Sequence, residues 1–511
     1  MGKRFNHFYL LCLAAALLVI SACSEVAPSP SLSFVASPSS GEAPLEVIFD
    51  VTTSSTGTFS FLPGDGSAAL SVEGSQFSYV YEKAGNYTAS LSLKTETADL
   101  TDDASISVSQ ASKEVKLPQL EADAWTQFYP GGDTRCSDGS EYSYYATPGK
   151  LNKVVIDFQG GGACWDDYSC SRGATGTYAR NVLWMSPETF ESGDINFDGI
   201  RDVGGIYDRK DLRNPVKDWY HVYVPYCTAD VHWGNADHVY TEIAGPNKGK
   251  DNLIYHRGAI NAGAVLNWVY DNFEAPEDIF ITGCSAGAYG SMMWTPHIAK
   301  HYPNARIHLM ADCGAGVVNE AFLTGGFDKW NVLEGAWPSF IPSLDPGQTG
   351  FKFSTTFIND LYISIARAFP SAKLSQFNTM GDGNQIFYYA LMRQDFQDTN
   401  NDGLDEVVPS AATMIDWLER MPQSMKTIEA KASNFKSYLS MYDDNNDLSD
   451  GTGHCIIFRP EFFDVEESGK PLYEWLSDLV NNRSLQSVEP AYVPPYDTII
   501  KSRLDGQSLS W

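Results

Sequence analysis

The stretch Ile279-Phe280-Ile281-Thr282-Gly283-Cys284-Ser285-Ala286-Gly287-Ala288 narrows the fold more than any other part of the chain. An apolar run leads to a serine with a glycine two positions away on each side, and small residues follow. Such a run reads as a buried strand that turns sharply into a helix, with the serine hydroxyl lifted out of the sheet. Only small side chains fit around so tight a turn, and the N–H of Ala286 faces the place where an oxyanion forms. The pattern therefore predicts a strand over 278–282, a helix over 286–300 and Ser285 as a nucleophile. It demands a base, an acid and further oxyanion donors elsewhere.

A donor loop is present. Gln159-Gly160-Gly161-Gly162-Ala163-Cys164 follows the apolar run Val154–Phe158, and the glycines let the N–H groups of Gly161 and Gly162 point at one spot with that of Ala286. No Lys-Ser/Thr pair follows, which excludes a phosphate loop. In a strand–turn–helix hydrolase the chain order is serine, acid, histidine. Of the 9 histidines only His297, His301, His308 and His454 follow Ser285. The first two lie in or just after the expected helix, and His308 opens the next apolar run. His454, in the loop Asp450–Cys455, is left as the base. Two acids compete: Asp312, ending the run Ile307–Ala311, and Asp382, after Phe377–Gly381. The residues alone do not choose between them.

The remaining sequence divides by composition. Lys3 and Arg4 precede an apolar stretch over 8–20 that ends in Ile20-Ser21-Ala22-Cys23, the layout of a secretory leader. A Ser/Pro tether covers 24–30. Over 31–110 short alternating runs (Leu32–Val35, Leu45–Phe49, Phe77–Tyr81 and Tyr87–Leu93) indicate a small β-sandwich. A connector covers 111–125, and from 126 to 511 buried strands alternate with helical stretches such as Gly258–Asn272 and Thr356–Phe369. That alternation predicts an α/β domain with a mostly parallel sheet covered by helices on both faces. With 35 basic against 64 acidic residues, the formal charge is −29. Such a surface excludes nucleic acid and anionic membrane as partners. Beyond Cys12 and Cys23 the cysteines are Cys136, Cys164, Cys170, Cys227, Cys284, Cys313 and Cys455. An odd number in an oxidising compartment leaves at least one free. Cys164 and Cys170 flank a short turn and suit a local bridge. None has the spacing of structural zinc.

Four resemblances extend this reading. The leader's end resembles a bacterial lipobox, which implies lipidation at Cys23 and a lipid-anchored place in the cell envelope, periplasmic or on the surface; the membrane is then contacted through that lipid alone. Residues 31–110 resemble a PKD-type immunoglobulin-like domain in Ser40-Gly41-Glu42-Ala43-Pro44-Leu45, Gly64-Asp65-Gly66-Ser67 and Tyr81–Tyr87. Asp194-Ile195-Asn196-Phe197-Asp198-Gly199, with Asp202, resembles a calcium loop of EF-hand or dockerin type. Asp398, Asn400, Asp402, Gly403 and Glu406 repeat the scheme, although both loops lack the glutamate at position 12. Structural calcium is the expectation there, and no cofactor is expected for catalysis.

The fourth covers most of 126–460. Cys136-Ser137-Asp138-Gly139-Ser140, the triple-glycine loop, Tyr226-Cys227, His256-Arg257-Gly258-Ala259 and Gly283-Cys284-Ser285-Ala286-Gly287 occur in the order of the pectin acetylesterase and Notum family. The resemblance implies an α/β-hydrolase-like carboxylesterase. It places the acid on Asp382 of an Asp-x-x-Gln motif and the base on His454, and it implies bridges Cys136–Cys227 and Cys164–Cys170. Plant members carry tryptophan at Ala163 and glutamate at Gln159. The expected reaction is removal of O-acetyl groups from a plant or algal polysaccharide through an acyl-enzyme. Removal of longer acyl chains from protein or lipid, and an idle carbohydrate-binding surface protein, are the competing expectations.

Overall fold

A computed structural model describes residues 29–110, 117–122, 124–171, 177–180, 204–348, 351, 353–401, 403–443 and 453–505. The leader with Cys23, most of the tether, part of the connector, the loop carrying Asp194, Asn196, Asp198 and Asp202, and Asp402 lie outside them. Backbone contacts divide the chain into units Met1–Glu114 and Val115–Trp511. Among the described residues no helix is long and apolar enough to cross a membrane.

The first unit holds β1 (Leu32–Ser37), β2 (Ser40–Glu42), β3 (Leu45–Thr53), β4 (Thr58–Leu62), β5 (Leu70–Val72), β6 (Gln76–Tyr81), β7 (Gly85–Lys94) and β8 (Asp99–Ser109). They form sheets of order β1-β3-β6 and β2-β8-β7-β4-β5. Along β3 the residues Leu45, Val47, Phe49 and Val51 are buried, while Glu46, Ile48 and Asp50 between them are exposed. This period of two gives each sheet one apolar face. The faces share a core in which Phe49 stacks on Phe34 at 4.8 Å and meets Phe61 at 5.0 Å.

The second unit is built on one mixed sheet. Its strands are β9 (Thr126–Phe128), β10 (Tyr144–Thr147), β11 (Lys153–Phe158), β12 (Tyr220–Val224), β15 (Asp278–Cys284), β16 (Arg306–Asp312), β17 (Lys373–Thr379) and β20 (Phe435–Ser440). Between them come the hairpin β13 (Ala236–Thr241)–β14 (Asp251–His256) and the short ladder β18 (Phe396–Gln397)–β19 (Glu406–Val407). The order is β20-β17-β16-β15-β11-β12-β10-β9, parallel from β20 to β12 and antiparallel at the β10-β9 edge. Both faces are covered, which is why the central strands read as unbroken apolar runs. Ile279 and Ile281 of β15 enter one core, whereas Phe280 enters the core on the other face.

At the leading edge of the sheet, Lys153, Asp278 and Arg306 stand in one row across β11, β15 and β16. The buried Asp278 carboxylate accepts two bonds of 2.6 Å from Arg306, lies 2.8 Å from Lys153 Nζ and meets His308 Nε2 at 2.9 Å. Burial pushes this carboxyl up, but bonds from Arg306, His308 and Lys153 outweigh it and hold it far below the ordinary range. A depressed carboxyl contributes stability above its unfolded value that is lost as pH falls toward its folded one. Asp278→Ala leaves these partners unpaired and is expected to cost about 3 kcal/mol. A fall in Tm at pH 7 that narrows toward pH 3 is the measurement.

Candidate active site

Ser285 occupies the turn between β15 and the helix Ala286–His301, at φ 57° and ψ −120°. A positive φ at a residue with a Cβ costs about 1–3 kcal/mol and must be imposed by its surroundings. The flanking glycines show how. A Cβ on Gly287 would stand 1.8 Å from the Phe158 carbonyl oxygen, and one on Gly283 would stand 2.4 Å from that of Gly287. The end of β11 and the first turn of the helix close on the serine from two sides, and only glycine at both positions allows that approach.

The donor loop leaves β11 directly beside this turn. Gly162 has φ 74°, and a Cβ there would stand 1.9 Å from Thr177 O. Tyr226 O–H donates to Gly162 O at 2.8 Å, and its backbone N–H donates to Gln159 Oε1 at 2.9 Å. His232 Nε2 holds Gln159 O at 2.9 Å, and burial pushes the imidazole down to about 4, so it stays neutral and serves as a fixed donor. The N–H groups of Gly161, Gly162 and Ala286 find no acceptor among the described residues. Gly162 and Ala286 line the cavity above Ser285, whereas Gly161 does not reach its wall.

The base and acid arrive from further along the sheet. Asp382 follows β17 and caps the helix Gly383–Arg393, accepting from Gln385 N–H at 2.9 Å. Its second oxygen accepts from Gln385 Nε2 at 2.9 Å and from His454 Nδ1 at 2.8 Å. Burial pushes the carboxyl up, but the charge and hydrogen bond of His454, with two bonds from Gln385, hold it below the ordinary value. It therefore stays ionised and fixes the proton of His454 on Nδ1. The opposite nitrogen, Nε2, is buried without a partner among the described residues. His454 and Ser285 line the same cavity.

The competing acid, Asp312, is also buried here, but its carboxylate accepts from the N–H groups of Ile456 and Ile457 at 2.8 Å each. The other histidines are engaged elsewhere. His297 holds Ala336 O at 2.9 Å, His301 stacks on Tyr270 at 3.7 Å, and His308 belongs to the Asp278 cluster.

Among the described residues three disulfides join Cys136–Cys227, Cys164–Cys170 and Cys284–Cys455. Cys313 is free and buried. Its thiol, Asp382 and His454 are a set of potential ligands within 4.8 Å of one another. Burial and the charges of Asp312 and Asp382 push the Cys313 thiol well above its ordinary value. The loop Asp398–Asp405 lies between β18 and β19. There the Glu406 carboxylate accepts from Thr399 N–H, Thr399 O–H and Asn400 Nδ2, while Asp398 accepts from Gly403 N–H. These bonds close the loop on itself.

The cavity wall is strongly apolar. Trp165, Trp233, Phe322, Trp330, Phe357 and Trp417 line it together with Ser285 and His454. No sequence pattern marked these residues, because they come from separate elements and each reads as ordinary core.

An elbow serine, a histidine–carboxylate pair and an oxyanion loop on a mostly parallel sheet define the α/β-hydrolase-like class. Residues 128–324 match the family model described as Pectinacetylesterase. A relative from Schmidtea mediterranea, described as "Palmitoleoyl-protein carboxylesterase NOTUM", is 25% identical over 219 residues, or 42% of this chain and 36% of that one. The chain thus spans about a third of that relative's length. Among solved structures, carboxyl esterase 2 of Tuber melanosporum covers 63% of this chain and 89% of its own at 12% identity and a TM-score of 0.23. A carbohydrate-binding module of the β-sandwich superfamily covers 24% and 56% at 18% identity, with a TM-score of 0.16. Neither score carries an argument. The matched family stretch ends before Asp382 and His454, so their pairing rests on geometry.

Proposed function

We propose that this chain is a serine carboxylesterase. The observation that carries the reading is the Asp382–His454 hydrogen bond, which leaves an unpartnered buried Nε2 in the cavity that holds Ser285. His454 Nε2 takes the proton of Ser285 as Oγ attacks the ester carbonyl carbon. The N–H groups of Ala286 and Gly162, which line the cavity with Ser285, stabilise the oxyanion. Collapse expels the alcohol, which takes its proton from His454. Water then attacks the acyl-serine through the same base and releases the carboxylic acid. The reaction draws on no cofactor, and calcium at the Asp194–Asp202 and Asp398–Glu406 loops would have a structural role.

The substrate we favour is an O-acetylated plant or algal polysaccharide, brought to an enzyme that is lipid-anchored through Cys23 and spaced from the membrane by a PKD-type module. The matched Pectinacetylesterase stretch supports this reading, and the charge of −29 favours a neutral glycan over a polyanionic one. The apolar cavity wall supports a second reading, in which the acyl group is a longer chain, since each buried methylene adds about 0.8 kcal/mol. Acetate release from acetylated xylan and pectin, set beside hydrolysis of p-nitrophenyl acetate and octanoate, separates the two. The first reading expects acetate release from a glycan. A strong preference for octanoate with no glycan deacetylation overturns it in favour of the second, and turnover of none of these esters sinks both.

A further inference from the structure

Ser285 and His454 reach the site from distant parts of the chain, yet each is followed or preceded by a residue of one covalent link. Cys284, directly before the nucleophile, is bonded to Cys455, directly after the base, across a sequence separation of 171. The Cα atoms of this pair stand 5.6 Å apart.

A second tie lies beneath the first. Asp312 ends β16 directly opposite Cys284 in the parallel ladder. Its backbone carbonyl accepts from Ser285 N–H at 2.8 Å. Its carboxylate accepts from Ile456 and Ile457 N–H, and the adjacent Cys313 Sγ accepts from Cys455 N–H at 3.2 Å. Three successive N–H groups after His454, and the N–H of Ser285 itself, therefore end on one dipeptide. Thr379 Oγ1 secures the other side of the loop through Gly453 O at 2.6 Å.

We propose that the Cys284–Cys455 disulfide and Asp312 form a clamp that positions Ser285 against His454. Its members are positioning residues for the reaction proposed above, and the inference rests on that reading. A bridge that served overall stability alone could join any two packed elements. This one joins the residue directly before Ser285 to the residue directly after His454, and the dipeptide below holds the same two backbones. Displacement of a reacting group by about 1 Å is enough to cost about a hundredfold in rate. Asp312 is suited to the task as an acceptor. Its carboxylate receives the N–H groups of Ile456 and Ile457 at 2.8 Å each, and burial pushes the carboxyl up to about 6 against those bonds.

The test uses the full chain and p-nitrophenyl acetate. The double variant Cys284→Ser/Cys455→Ser, shown folded by circular dichroism below its Tm, is expected to lose kcat by about tenfold to a hundredfold with KM within about twofold of wild type. Asp312→Ala is expected to lose kcat in the same way. Asp312→Asn, whose amide oxygen can still accept from Ile456 and Ile457, is expected to recover most of that loss. A lowered Tm with unchanged kcat in the disulfide variant, or equal kcat in Asp312→Ala and Asp312→Asn, overturns the clamp. If the disulfide variant does not fold, the Asp312 pair, with every disulfide intact, decides alone. Wild type is the control: if it turns over no ester, the esterase reading and the clamp fall together, whereas normal wild-type turnover with normal variants removes the clamp only.

Discussion

Ser285→Ala is expected to lower kcat for ester hydrolysis by about a millionfold, to a rate set by the oxyanion donors and substrate binding alone. The variant retains the features that shape the turn. Alanine keeps the Cβ, the N–H bond to Asp312 O is a backbone bond, and the glycines that admit Phe158 O are untouched. Tm is therefore expected to stay within a few degrees of wild type, so that a loss of rate reports chemistry and not unfolding. Because nucleophile and base act as one unit, Ser285→Ala/His454→Ala is expected to be no slower than either single variant. Single-turnover measurement of the acyl-enzyme burst checks the assignment directly. A burst that survives in Ser285→Ala means that another nucleophile carries the reaction.

Local chemistry made the candidate nucleophile legible. The glycines around Ser285 are a steric consequence of two carbonyl oxygens, those of Phe158 and Gly287, that close on one short turn, so the constraint falls on neighbouring letters. The candidate base was legible for a different reason: chain order left four histidines, their expected places in or beside a helix and a strand set aside three, and the structure finds those three engaged with a carbonyl, a ring or Asp278. In the first unit, β3 and β7 announced themselves by alternation, but β8 did not. Its inward positions include Asp102, whose carboxylate accepts from Phe34 N–H at 2.9 Å in place of an apolar contact. A strand written Asp-Leu-Thr-Asp-Asp-Ala-Ser carries too little apolar signal to be seen.

The choice between Asp312 and Asp382 was not legible from the residues themselves, only from the family resemblance, and the reason is geometric. Both acids follow apolar strands at the same end of the sheet and both are buried. What separates them is side-chain direction. Asp312 turns toward the backbone after His454, and Asp382 turns toward its ring. The Cys284–Cys455 pairing was equally hidden, because cysteines so far apart in sequence meet only once the sheet has formed. The cavity wall is the third such case.

Asp382→Asn is expected to cost about 10⁴-fold in kcat while leaving KM nearly unchanged. The carboxylate does not line the cavity; it acts by accepting the Nδ1 proton of His454, and Gln385 holds it with two further bonds. An asparagine amide can instead donate to Nδ1. The ring proton then moves to Nε2, and the nitrogen beside Ser285 becomes a donor that cannot take the serine's proton. The size of the loss therefore measures a tautomer and not a charge. A stability measurement separates the two contributions. The wild-type carboxyl is held below its ordinary value, so it stabilises the fold above the unfolded carboxyl range and loses that contribution as pH falls through its lower folded value. Asp382→Asn has no such titration, and the difference in Tm between it and wild type is expected to shrink as the pH is lowered past the ordinary carboxyl range. A 10⁴-fold loss at pH 7 with a small, acid-sensitive difference in Tm assigns Asp382 to orienting the base. A loss of kcat below tenfold would return the acid to Asp312, whose carboxylate lies under the same loop.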